Sequence, residues 1–187
     1  MLAHRTRRAA ALLATLAVFS GCDSNPSPAP LPSESPSPSS SSPSPTATPP
    51  TLPAAAKGTS EASAKAFARH YFAQINFAAR TGDTAQLQAL ATNSCESCNA
   101  IANNIDTVYS AGGSITTDGW KLKSISSVPL QSKRKPIFDL AVFVSPETVV
   151  PKAGSKAQEF NGGKRPMTMY LAMTGSSWRV TKLNRVS

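Results

Sequence analysis

Apolar side chains recur at three- and four-residue steps from residue 60 to residue 80: Ala64, Phe67, Tyr71, Ile75 and Ala78. That spacing lines one face of a helix, so Ser60–Arg80 is predicted to be an amphipathic α-helix. Thr59 or Ser60 supplies the N-cap, and Glu61 sits in a first turn that favours acids. Thr81-Gly82-Asp83 ends the helix, with Gly82 suited to a left-handed C-terminal position. A short second helix is predicted over Thr84–Ala91, with Leu87 and Leu90 inward. A third runs from about Glu96 to Ala111, with Ile101, Ile105 and Val108 on one face, and Gly112-Gly113 stops it. The period then changes. Trp120–Val128, Ile137–Val144, Pro166–Thr174 and Trp178–Val186 are rich in β-branched and aromatic residues and read as strands. Met167, Met169, Leu171 and Met173 alternate with Thr168, Tyr170, Ala172 and Thr174, and Gly175-Ser176-Ser177 is a hairpin connection. Ile137–Val144 is mostly apolar on both faces, which marks a central strand. Helices followed by a strand meander give an α+β class: three N-terminal helices packed on a curved antiparallel sheet of four or five strands.

The first half-hundred residues follow no such pattern. Arg5, Arg7 and Arg8 precede an apolar run, Ala9–Phe19, and then Ser20-Gly21-Cys22. A basic start, a short apolar run and small residues make a secretory leader. The run is too short to span a bilayer, which takes ~20 apolar residues. Cysteine directly after Ser-Gly resembles a bacterial lipobox. That resemblance implies removal of residues 1–21 and acylation of Cys22, which would hold the mature chain at the outer face of the cell membrane. Two acyl chains suffice for stable anchoring where one does not. Asp23–Pro53 is Ser, Pro, Thr and Ala with few exceptions, too poor in large apolar residues to offset its ordering entropy. Residues 22–56 are therefore expected to be the lipidated cysteine and a disordered tether, and 57–187 the folded domain. The Ser/Thr content of the tether also permits O-glycosylation.

Without the leader, sixteen basic residues remain. Asp23 and Glu34 lie in the tether, so eight acids share the folded part with those sixteen, an excess of +8. A basic exported domain is attracted to anionic head groups and wall polymers. The compartment removes nucleic acid from the set of partners.

Cys95-Glu96-Ser97-Cys98 has redox-motif spacing, but it sits between two predicted helices rather than after a strand. His4 leaves with the leader, so His70 is the sole histidine of the folded part, too few for a metal site. In an oxidising compartment the expected state is a disulfide pinning the turn before the third helix. His70, on the first helix, and Asp139, interrupting the central strand, form the one acid–base pair that can be proposed. Tyr71, Trp120, Phe143, Tyr170 and Trp178 are aromatic candidates for lining an apolar pocket. Lys133-Arg134-Lys135 is a basic turn between strands. No phosphate loop, nucleophile elbow or zinc-helix motif is present, and no cofactor is expected.

Tyr71-Phe72, Asn76-Phe77-Ala78, Thr81-Gly82-Asp83, Leu87, Cys95-Glu96-Ser97-Cys98, Tyr109 and Gly112-Gly113 together resemble an actinobacterial lipoprotein family, domain of unknown function 6318. The element order also resembles the nuclear-transport-factor-2-like cone. The family brings no catalytic residues to transfer. Other cone domains include dehydratases and isomerases that use a His–Asp pair, which makes a small enzyme using His70 and Asp139 the alternative reading. A third reading is an accessory to wall synthesis. The leading expectation is a non-catalytic, membrane-anchored binding or accessory module, with an envelope protein or an apolar ligand as its partner.

Overall fold

The computed structural model describes residues 47–129 and 131–186. The leader, Cys22 and the tether as far as residue 46 lie outside them.

Helix α1 (Glu61–Thr81) forms where the apolar stripe predicts it. Ser60 caps it by accepting a hydrogen bond from Ser63 N at 3.1 Å. Gly82 ends it at φ 78°, the left-handed conformation in which glycine alone carries no Cβ penalty. The ring of Tyr109 lies directly over that glycine, and a Cβ there would come within 2.5 Å of it. Helix α2 (Ala85–Ala89) is a single turn, too short to be stable alone. Thr84 Oγ1 and Gln88 Nε2 tie it to the two oxygens of Asp106 on α3 (Glu96–Ser110), at 2.6 and 3.0 Å.

Seven strands follow: β1 (Ser114–Thr117), β2 (Trp120–Ser127), β3 (Ile137–Val144), β4 (Glu147–Val150), β5 (Gln158–Phe160), β6 (Gly163–Thr174) and β7 (Ser177–Arg185). They make two antiparallel sheets, one ordered β2-β3-β6-β7 and a smaller one ordered β1-β4-β5. The α+β class stands as read from the sequence. The sheet differs in detail, because the three strands of the smaller sheet were not predicted. They have only three or four residues each, and exist through pairing with one another rather than through an alternation of their own.

Strand β3 is central, pairing with β2 on one side and β6 on the other. Phe138, Leu140 and Val142 face the core, while Asp139 and Ala141 are exposed on the opposite face. Helix α1 covers the inner face with Phe67, Tyr71, Phe72 and Ile75, all buried. Two polar clasps fix its position. Trp178 Nε1 donates to Ser63 Oγ at 3.3 Å. The Asn76 amide pairs with both backbone groups of Trp120, Nδ2 donating to the carbonyl at 2.9 Å and Oδ1 accepting from the N–H at 2.7 Å.

The packed domain begins earlier than residue 57. Gln74 Nε2, on α1, donates to the carbonyl of Pro50 at 2.6 Å. A 3-10 turn over Ala54–Ala56 then buries Ala56 against the core. The last part of the expected tether is thus a strap along the helix. A buried glutamine needed a backbone acceptor, and the proline-rich strand supplied one.

Candidate functional site

The interior beneath the large sheet is filled. Phe67, Tyr71 and Ile75 from α1 meet Phe138, Met169, Leu171 and Val180 from the strands, each at most 2% exposed. Tyr71 OH has no hydrogen-bond partner in this packing, and burial pushes its phenol well above the ordinary range. Tyr71 is therefore a core residue rather than the wall of a ligand cavity.

The proposed acid–base pair is not assembled. His70 points from α1 into the protein and is 7% exposed, and burial lowers its pKa. Its Nε2 lies 3.5 Å from the amide Nε2 of Gln74, one turn along the helix. Asp139 sits on the outer face of β3, where its Oδ1 accepts a hydrogen bond from Thr168 Oγ1 at 2.9 Å on β6. Helix and carboxylate lie on opposite sides of one sheet. The sequence could not decide this, because β3 carries apolar residues on both faces and either could have turned inward.

The aromatic candidates are divided in the same way. Tyr170 is cross-strand partner to Ile137 and lies on the outer face under Lys182, whose Nζ is 5.7 Å from its ring. Phe143 pairs with Lys121 and Lys164 on that face too. Neither reaches Tyr71. Trp178 is buried core. Trp120 lines a surface cleft between the helices and the small sheet. Cys95 and Cys98 are joined as a disulfide at the N-terminus of α3, both sulfurs buried. Ser97, between them, donates its hydroxyl to the carbonyl of Leu183, tying the turn to β7. Among the described residues no group of three or more His, Cys, Asp or Glu side chains could hold a metal ion. No helix among them is long and apolar enough to cross a membrane.

Two open clefts carry apolar surface. One, of about 1200 Å³, runs between the strap and the end of the β6–β7 hairpin, and is lined by Pro50, Leu52, Phe67, His70, Met173 and Trp178. The other, of about 460 Å³, lies between the helices and the small sheet. Ile75 and Ala79 of α1 and Ile101, Ile105 and Val108 of α3 form one wall. Ile115, Trp120, Val149 and Phe160 form the other. Phe160 stands at its lip, 47% exposed, the most exposed large apolar residue among those described. It belongs to β5, which among the described residues has no partner on its far side.

The model of DUF6318, a family of unknown function, matches residues 37–184. The chain belongs to this family. Its match begins upstream of residue 57, in keeping with a strap that is part of the domain. No curated protein matches. Among solved structures, the intermembrane-space region of the chloroplast protein ARC6 is 6% identical, with 67% of this chain and 95% of that one covered and a TM-score of 0.49. An NTF2-like protein from Anabaena variabilis is 7% identical, with 64% and 85% covered and a TM-score of 0.34. SalBIII, an epoxide hydrolase/cyclase-like enzyme of pyran ring formation in salinomycin, is 13% identical, with 69% and 100% covered and a TM-score of 0.34. At such identities and scores these three carry no substrate or partner across to the DUF6318 chain.

Trp120 is legible in the sequence, but Ile115, Val149 and Phe160, which share its wall of the cleft, are not. The signal was faint: Gln158-Glu159-Phe160 before Asn161-Gly162-Gly163 is a short strand-like run before a turn.

Proposed function

We propose that this chain is a non-catalytic binding or accessory module. Acyl chains on Cys22 hold it on the outer face of a bacterial cell membrane. It takes an extended, apolar segment of another envelope protein at the cleft between α1, α3 and the small sheet. The observation that carries the reading is Phe160: an exposed aromatic on a free strand edge, at the mouth of an apolar cleft. A free edge offers unpaired backbone groups to an incoming strand, and the adjoining cleft takes its alternate side chains. The filled interior supports surface partnering over an enclosed ligand, and the separation of His70 from Asp139 removes the pair on which the enzymatic alternative rested.

A photoreactive residue placed at Gln158, on the exposed β5, tests this in intact cells. It should crosslink one envelope protein, and Phe160→Asp should abolish the adduct while shifting Tm little, because residue 160 is outside the core. An adduct unchanged by Phe160→Asp overturns the reading. The anchor is tested apart from the cleft. The intact mass of the membrane-extracted protein should show an acylated chain starting at Cys22, and Cys22→Ser should move the domain to the soluble fraction. An unmodified mass for the mature chain ends that part.

A further inference from the structure

The positive charge of the domain is not spread evenly. From Lys57 to Gly119, four basic residues face five acids. From Trp120 onward, twelve basic residues face three acids. The helical part is thus slightly acidic, and the strand part carries the entire excess.

Much of that excess converges on the outer face of the β2-β3-β6-β7 sheet, the face turned away from α1. Lys121 on β2 and Lys164 on β6 flank Phe143 in one cross-strand row. At the other end Lys182 stands over Tyr170, and Arg179 is partner to Ala172. The loop carrying Lys133, Arg134 and Lys135 is fastened to this end, since Met173 N and Leu171 N donate to the carbonyls of Arg134 and Pro136, each at 3.0 Å. The side chains of all three loop cations are exposed. The one acid on the face, Asp139, is bonded to Thr168. Among the described residues the only ion pair touching these cations is Lys121 with Asp118, at 3.8 Å. A shallow depression of about 430 Å³ opens beside the loop, with Ile137, Tyr170 and Ala172 as an apolar floor and Lys135 and Thr181 at its rim.

We infer that this sheet face is a docking surface for an anionic phospholipid bilayer. Cations spread over a broad sheet, all but Lys121 without an ion pair among the described residues, match a flat lamella of negative head groups. Tyr170 brings an amphipathic ring of the kind that settles at the membrane–water boundary. The depression offers a phosphate the ammonium of Lys135, and offers the glycerol region an apolar floor. The depression and the cleft at Phe160 share no lining residue.

Each basic residue close to an anionic surface contributes roughly fivefold in partition. The test uses the chain from Cys22 onward carrying Cys22→Ser, so that no acyl chain takes part. This protein should sediment with vesicles of phosphatidylglycerol and phosphatidylcholine but not with phosphatidylcholine alone, and high salt should release it. Lys133→Gln, Lys135→Gln and Lys182→Gln combined should weaken binding on the order of a hundredfold. A charge-matched triple away from the face, Lys57→Gln, Lys152→Gln and Lys156→Gln, should change it by no more than a few fold. All six positions are exposed, and equal thermal melts would show both triples folded. Equal losses in the two triples would reduce the effect to net charge and overturn the inference. So would absence of binding to anionic vesicles, or capture by soluble polyphosphate without affinity for vesicles. Phe160→Asp should leave vesicle binding intact, which separates this result from the fate of the protein-binding cleft.

Discussion

At the scale of single residues, the buried groups of α1 and the sulfur pair set measurable behaviour. Closing the four-residue loop from Cys95 to Cys98 removes chain entropy worth about 2 kcal/mol from the unfolded state. Cys95→Ser with Cys98→Ser is expected to lower Tm by about 5–10 °C in calorimetry, the larger shift if Ser97 then releases Leu183. His70 gives a pH signature. Burial depresses its folded pKa below the unfolded value near 6.5. As pH falls through that unfolded value, the unfolded chain takes up a proton before the folded one does, so stability falls with pH until the folded group titrates too. No other histidine of the domain contributes. Urea midpoints for the wild type should therefore drop between pH 7.5 and pH 5.5, and His70→Gln should flatten that drop. A wild-type midpoint that does not change would show His70 accepting charge freely in the fold.

Among elements, the helix ends and the Asn76 clasp are the sensitive joints. Gly82→Ala sets a Cβ against the Tyr109 ring in a left-handed backbone, and is expected to cost about 2 kcal/mol or more by denaturant unfolding. Asn76→Asp changes one donor into an acceptor facing the Trp120 carbonyl. It should destabilise by about 1–3 kcal/mol, where a mere loss of side-chain volume at this half-buried position would cost less. The elements themselves differ in how far the sequence revealed them. The three helices and the four long strands were legible within a few residues at each end, because each carries a period that one face of a core imposes. Strands β1, β4 and β5 were not, because so few residues establish no period and their pairing is a tertiary event. The strap was hidden by its composition. Ser/Pro/Ala sequence predicts disorder on average, and only Gln74, more than twenty residues away, shows that Pro50 has a partner. For the site, the disulfide pair and Trp120 could be singled out locally. The sidedness of Asp139, Phe143 and Tyr170 depended on which face of β3 met the helix, and a strand that is apolar on both faces does not encode that.

Among the described residues the architecture carries three features: a strap over the first helix, a cleft with an exposed aromatic at its mouth, and a basic sheet face. The side chains beneath the large sheet form one buried cluster. Specificity in such a protein resides in the periphery, where substitutions alter partners at little cost to folding. A surface variant such as Phe160→Asp and a core variant such as Met169→Ala should accordingly part company. The first should keep the Tm and lose the partner. The second should lose about 2–5 kcal/mol of stability in chemical denaturation.

The fastening of Pro50 to Gln74 has a mechanical consequence. Tension applied from the N-terminal side enters the domain at the strap, and the first bond it loads is the one to Gln74 on α1, not the sheet. The strap should peel first, as a fuse that yields before the core does. In an optical trap pulling from the N-terminal side, the eight residues from Pro49 to Ala56 should release as an early extension of at most ~30 Å, ahead of the main rip. Gln74→Ala should erase that early step and leave the later one in place.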